Sequence, residues 1–136
     1  KVVHAEGGEQ LRPGHAYLAP GHSHMRIKRQ GGRYVTQLSQ EPPVNRHRPS
    51  VDVLFSSVAQ EVGADAVGIM LTGMGRDGAA GMLEMRKAGA WNIGQDQASC
   101  VVYGMPRAAA EVGAIDEAVA LTSVAGRLME RLRKDG

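Results

Sequence analysis

The residues best placed to do chemistry form a glycine-rich loop around one carboxylate. The loop is part of the segment LTGMGRDGAAG at 71–81, in which Asp77 is the single acid. The apolar run VGIML at 67–71 leads into it and predicts a strand buried on both faces. Since α/β proteins place reacting groups at the carboxyl ends of strands, we expect Asp77 to lie at such an end. There its carboxylate could orient a histidine, bind a metal ion or cap a helix, and the loop by itself leaves these three roles open.

The glycine spacing of the same loop also matches a nucleotide-binding motif. Gly73, Gly75 and Gly78 have the spacing G-x-G-x-x-G, and Asp96 lies near the place expected for a ribose-binding acid. The strand that should end in that acid ends instead in Gln95. Dinucleotide binding is therefore a lesser alternative.

Histidines supply the other candidate groups. His22 and His24 stand two residues apart, which on a strand places both on one face and suggests a metal site. No Cys or acid lies close to them in the sequence, so we expect a solvated pair, with no metal and no cofactor. His47 lies in a proline-rich loop and by itself is typical of a surface histidine.

Composition excludes several classes of function. The 136 residues suit one domain, with 43% hydrophobic residues, 22% charged residues and a net charge of +2. The basic residues are scattered and aromatic residues make up only 4%, so we expect no nucleic-acid partner. One Cys permits no internal disulfide. No apolar run approaches the length that crosses a bilayer and the start is not signal-like, so we expect no membrane insertion.

The elements that must position Asp77 follow from hydrophobic periodicity. Strands are predicted at 2–5, 15–19, 66–71 and 91–95, with an alternating hairpin at 24–29 and 33–38. Helices are predicted from 51 with Ser50 as N-cap, at 78–87 with Met82, Leu83 and Met85 in the core, from 105, and after a cap at Thr122 or Ser123. The pattern predicts an α/β fold: part of a doubly wound, mostly parallel sheet with an antiparallel β-ribbon near the N-terminus.

Four segments, taken together and in order, resemble one known family. They are PGHAYLAPG at 13–21, PPVNRHRPSVDVLF at 42–55, LTGMGRDGAAGM at 71–82 and QDQASCVVYGMPR at 95–107. In these motifs the chain is similar to the catalytic domain of the chemotaxis protein-glutamate methylesterase CheB. The likeness covers nearly the whole chain.

The resemblance implies a serine hydrolase of the bacterial cytoplasm. Members of the family hydrolyse γ-glutamyl methyl esters on the cytoplasmic helices of chemoreceptors, and some deamidate receptor glutamines, using a Ser-His-Asp triad and no cofactor. Asp77 matches the triad acid, which would hold the catalytic histidine in its correct tautomer. The resemblance also implies that His47, Met74, Gly73 and Gly75 line the active site.

The chain departs from the family pattern in one respect. The glycine-rich segment that carries the nucleophilic serine, the segment with the base histidine and the receiver domain all have no counterpart in residues 1–136. We therefore expect residues 1–136 to be the C-terminal part of a CheB-type catalytic domain and to be inactive alone. The expected partners are the missing N-terminal part of that domain, a receiver domain and methylated receptor helices. The alternative is a non-catalytic binding or scaffold module that retains the later half of the fold.

Overall fold

The chain forms an α/β structure in which helices pack on a short parallel sheet. The computed structural model describes residues 1–135, and side chains as far as residue 133. Within that range the elements are, in chain order, β1 (Val2–His4), β2 (Ala16–Leu18), β3 (His24–Gln30), β4 (Arg33–Ser39), α1 (Val51–Glu61), a 3-10 helix (Gly63–Asp65), β5 (Val67–Met70), α2 (Ala79–Lys87), β6 (Trp91–Gln95), α3 (Met105–Glu111), β7 (Glu117–Val119) and α4 (Leu121–Asp135).

The strands form one parallel sheet and two separate two-stranded pairs. Strands β5, β6 and β7 form a parallel sheet with β6 in the middle, and Val67 pairs with Trp91 while Ile93 pairs with Glu117. Strands β1 and β2 form a separate parallel pair, and β3 and β4 form an antiparallel ribbon. The expected α/β class, with a mostly parallel sheet and an N-terminal ribbon, is confirmed.

The expectation that β5 is buried on both faces is wrong for this chain. Gly68 and Met70 are buried, but Val67 and Ile69 on the opposite face are only half-buried. Side chains alternate across a sheet, so one face of β5 meets the core while the other is covered less completely. Within residues 1–135, β6 is the one strand that pairs with β5.

The ribbon fixes where the proline-rich loop enters the site. Gly31 and Gly32 turn at φ 59° and 79°, as a two-residue hairpin requires. Met25 and Ile27 on β3 are buried, and the backbone N–H of Ile27 donates to Ser57 Oγ on α1 at 2.9 Å. The ribbon is therefore held against α1, and residues 40–50 run from its end to the first turn of that helix.

The main core lies between α1, α2 and α3. Its buried members are Met70, Ala79, Met82, Ala109 and Ala114. The predicted core positions of α2 are correct for Met82 and Met85, while Leu83 is half-buried. The predicted start of α4 is late, since the helix begins at Leu121 and its first turn already includes Thr122 and Ser123. No helix in the described part of the chain is long and apolar enough to span a membrane.

Helices α1 and α2 approach so closely at Gly81 that no side chain fits there. A Cβ at this position would lie 2.8 Å from Phe55 Cβ and 3.0 Å from the carbonyl oxygen of Asp52. Overpacking of this kind forces backbone shifts. We predict that Gly81→Ala lowers the free energy of unfolding by about 2 kcal/mol, despite the higher helix propensity of alanine. Urea denaturation of the two proteins measures the difference.

Gly126 provides the matched control for that substitution. It lies inside α4, and apart from its chain neighbours and its own helix backbone no atom lies within 4 Å of the position that an alanine Cβ would occupy. Gly126→Ala should therefore raise the free energy of unfolding by about 0.5–1 kcal/mol, the propensity gain alone. Equal effects of the two substitutions would contradict the close approach of α1 and α2.

Candidate functional site

Asp77 lies in the loop between β5 and α2, with its carboxylate turned into the protein. The residue is 5% exposed. Its Oδ1 atom accepts hydrogen bonds from Ser50 Oγ at 2.7 Å, Asn45 Nδ2 at 3.0 Å and the backbone N–H of Asp52 at 3.2 Å. Its Oδ2 atom accepts one hydrogen bond from the described residues, from the backbone N–H of Val51 at 2.7 Å. A carboxylate oxygen has two acceptor sites, so Oδ2 can accept a further donor.

Asp77 caps a helix, but not the helix that follows it. The two backbone N–H groups that it binds, those of Val51 and Asp52, belong to the first turn of α1. Gly78 occupies the N-cap position of α2 and has no side chain to offer. Ser50 stands at the predicted N-cap position of α1, yet its hydroxyl donates to Asp77 and makes no bond to its own helix. The cap of α1 is thus supplied from 26 residues away.

This arrangement favours the ionised carboxylate. Burial alone would raise the pKa of Asp77, because it disfavours charge. Hydrogen bonds from Asn45, from the Val51 N–H, from Ser50 and from the Asp52 N–H outweigh burial and hold that pKa below its ordinary value. Asp77 is therefore a fixed hydrogen-bond acceptor at neutral pH.

A pocket of about 300 Å3 opens beside Asp77. It is lined by Asn45, Arg46, His47, Gly75, Arg76 and Asp77. His47 reaches it because a tight turn in the proline-rich loop, closed by reciprocal backbone hydrogen bonds between Val44 and His47, folds residues 44–47 towards the loop after β5. The structure thus brings together three of the predicted site residues, namely His47, Gly75 and Asp77.

The other two predicted residues, Gly73 and Met74, lie outside this pocket. The carbonyl oxygen of Gly73 accepts hydrogen bonds from the N–H groups of Gly104 at 3.1 Å and Met105 at 2.9 Å. Gly73 therefore ties the loop to the start of α3. Met74 is 80% exposed. That both residues line an active site stays a prediction.

Gln95 is a buried residue that holds the loop after β5, and sequence reasoning missed it. It is 1% exposed at the end of β6. Its Oε1 accepts the N–H of Thr72 at 2.8 Å, and its Nε2 donates to the carbonyl oxygen of Ser99 at 2.9 Å. Gln95 thus holds the start of the Asp77 loop, one residue after Leu71. Asp96, the acid of the nucleotide interpretation, accepts the N–H and hydroxyl of Ser99, so it serves a local turn.

His24 is also more structural than the sequence suggests. The expectation of a solvated pair is wrong for it, because His24 is fully buried. Its Nδ1 accepts the N–H of Ser50 at 3.1 Å, so its Nε2 carries the hydrogen and donates to the carbonyl oxygen of Pro42 at 2.9 Å. His22 instead contacts Ser23 Oγ at 2.7 Å. Among the described residues, no three His, Cys, Asp or Glu side chains cluster as a metal site requires.

Comparison with known sequences identifies relatives over almost the full chain. The sequence model of one family, described as CheB methylesterase, matches residues 1–128. A protein-glutamate methylesterase/protein-glutamine glutaminase of Nitrosomonas europaea is 62% identical over 132 residues, which are 97% of this chain and 37% of that protein. A protein of the same name from Thiobacillus denitrificans is 62% identical over 129 residues, or 95% of this chain and 36% of that protein.

A solved structure has the same fold. The catalytic domain of the Thermotoga maritima CheB methylesterase superposes with a TM-score of 0.90 at 34% sequence identity. The match covers 93% of this chain and 67% of that domain. The present chain therefore spans about two thirds of that domain and little more than a third of the curated relatives.

Proposed function

Because this chain belongs to the CheB methylesterase family, we propose that residues 1–136 form the C-terminal part of a catalytic domain that hydrolyses protein γ-glutamyl methyl esters. The curated relatives carry the name protein-glutamate methylesterase/protein-glutamine glutaminase, and this chain corresponds to 37% of their length. The segments with the nucleophilic serine, the base histidine and a receiver domain precede it in the complete protein.

In this proposal Asp77 is the acid of a Ser-His-Asp triad. The base histidine removes the serine proton as the serine attacks the ester carbonyl, and it becomes an imidazolium in doing so. Asp77 accepts the imidazole N–H, fixes the tautomer and stabilises the positive charge. The open acceptor site on Oδ2 receives this hydrogen bond, since Oδ1 already has three donors.

The observation that carries the proposal is the state of this one carboxylate. Asp77 is 5% exposed, its pKa is held low by four donors, and it lines a pocket of about 300 Å3. A cap for α1 alone would not require a pocket beside Asp77. The neighbouring Asn45, Arg46 and His47 form one wall of that pocket, where the ester substrate would lie.

The same family membership supports a proposal about substrates and partners. We propose that the complete protein acts in the cytoplasm on methylated helices of chemoreceptors, and that some glutamine side chains serve as a second substrate. It needs no metal or cofactor for this chemistry, because serine, histidine and aspartate supply the nucleophile, the base and the orienting charge.

The complete protein, incubated with receptor-containing membranes that carry methyl esters, should release methanol. Methanol is the direct product of ester cleavage, and membranes with unmethylated receptors are the control. Binding to the methylated membranes without any methanol would reject the proposal and favour the non-catalytic binding module.

A further inference from the structure

Asn45 stands at a turn that few residue types can occupy. It precedes Arg46 in the turn between Val44 and His47, where the two backbone hydrogen bonds measure 3.0 and 2.9 Å. Asn45 has φ 53° and Arg46 has φ 67°, the left-handed values of a two-residue turn. Asn tolerates this conformation better than most residues. The turn accounts for the left-handed backbone conformation of Asn45, but it does not explain what the side-chain amide does.

The amide of Asn45 bridges two carboxylates. Its Nδ2 donates to Asp52 Oδ2 at 2.6 Å and to Asp77 Oδ1 at 3.0 Å. Ionised carboxylates only accept, so the NH2 end of the amide must face both of them. Asp52 in turn accepts the N–H of Gly81 on α2 at 2.7 Å through its other oxygen. One side chain therefore links the proline-rich loop, the first turn of α1 and the loop that precedes α2.

The bridge places one donor group between the two acidic side chains of Asp52 and Asp77. The NH2 group places a hydrogen on each of them. Among the groups that lower the pKa of Asp77, the Asn45 amide is the largest, ahead of the Val51 N–H and Ser50.

The same contact sets the orientation of the Asp77 carboxylate. Oδ1 accepts hydrogen bonds from Asn45, Ser50 and the N–H of Asp52, so its acceptor sites are occupied by groups of the protein. Oδ2 retains an acceptor site. Loss of Asn45 would remove one of the four hydrogen bonds that hold this orientation.

We propose that Asn45 is a positioning residue of the active site, whose amide holds the Asp77 carboxylate so that Oδ2 faces the imidazole N–H of the base histidine. This inference rests on the proposed function of Asp77 and adds a residue to it. Asn45 acts through Asp77 and contacts neither serine nor ester.

Two substitutions separate the amide from the turn. Asn45→Gly keeps the left-handed backbone and deletes the amide, whereas Arg46→Gly keeps the amide and changes the neighbouring turn residue. The first readout is 13C NMR titration of the Asp77 carboxyl in the complete protein, with Asp77→Asn to assign the signal. We expect Asn45→Gly to raise the pKa of Asp77 and Arg46→Gly to leave it in place.

The second readout is catalysis. Asn45→Gly should lower kcat for methanol release about tenfold with little change in KM. A carboxylate that has lost its hydrogen bond from Asn45 orients and stabilises the imidazolium of the transition state less well. Asn45→Asp is the second variant, because Asp also tolerates the turn and replaces the donor by an acceptor. It should raise the pKa of Asp77 further and lower kcat further.

Three results would overturn the inference. They are an unchanged titration of Asp77 in Asn45→Gly, an equal pKa change in Arg46→Gly, and an unchanged kcat in Asn45→Gly. Failure of the proposed function is distinguishable, because it would appear as a wild-type protein that releases no methanol. That result would reject the catalytic role of Asn45 as well, while the titration would still report whether its amide holds Asp77.

Discussion

Asp77→Asn in the complete protein is expected to lower kcat for methyl-ester hydrolysis by about ten-thousand-fold. An amide at this position bears no charge to stabilise the imidazolium, and its NH2 end can present a donor where the histidine needs an acceptor. Methanol release from methylated receptor membranes measures the rate. Substrate binding should change little, because the carboxylate contacts the base and not the ester.

The same substitution also weakens the cap of α1, so stability must be measured beside activity. The amide keeps one acceptor oxygen and replaces the other by a donor, so one of the two N–H groups, that of Val51 or that of Asp52, loses its partner. The free energy of unfolding should therefore fall by about 1 kcal/mol. Ser50→Ala is the matched control, since it deletes one donor to Asp77 and costs about 1 kcal/mol without removing the acceptor. If both variants lose activity equally, the effect of Asp77 is structural and its triad role is wrong.

The 136-residue chain alone is expected to release no methanol, and addition of the preceding part of the catalytic domain should restore release. The chain contains the acid of the proposed triad but neither a segment for the nucleophile nor one for the base. Without a nucleophile, covalent catalysis is lost entirely. The chain also spans 67% of the Thermotoga maritima domain, so the remaining third is available to supply these groups.

Reconstitution has a structural basis in the sheet. Among the described strands, β5 pairs with β6 on one edge, and its other edge can accept a further strand. Mixing the N-terminal part of the domain with this chain, and with its Asp77→Asn variant as control, tests the expectation. Methanol released by the chain alone, or restored equally by the variant, would contradict it.

Much of the fold follows from local pattern. The ribbon is predicted from alternation around Gly31 and Gly32, and the parallel sheet from apolar runs separated by helical segments. Helix α2 is predicted at 78–87 and observed at Ala79–Lys87. These features depend on neighbours a few residues apart, so the sequence carries them directly. The burial of β5 was not predictable in this way, because it depends on which strands lie beside it.

The sequence likewise indicates one residue of the candidate site and not the others. Asp77 is conspicuous in the sequence because it is the single acid of a glycine-rich loop at a strand end. Its partners are not conspicuous. Asn45 and Ser50 lie 32 and 27 residues from Asp77 in the sequence. The buried hydrogen bond between the Ser50 N–H and His24 joins residues that are 26 positions apart. Nothing in the local spacing of these residues indicates that they meet.

By itself, then, the sequence determined the family, the order of strands and helices, and the acid on which the proposed chemistry rests. Only the tertiary structure decided what that acid does in the fold: Asp77 caps α1 instead of α2, Oδ1 is occupied and Oδ2 keeps an acceptor site. The physical reason is that a buried carboxylate must find donors from whichever backbone packs against it. Those donors come from a helix that is distant in sequence and adjacent in space.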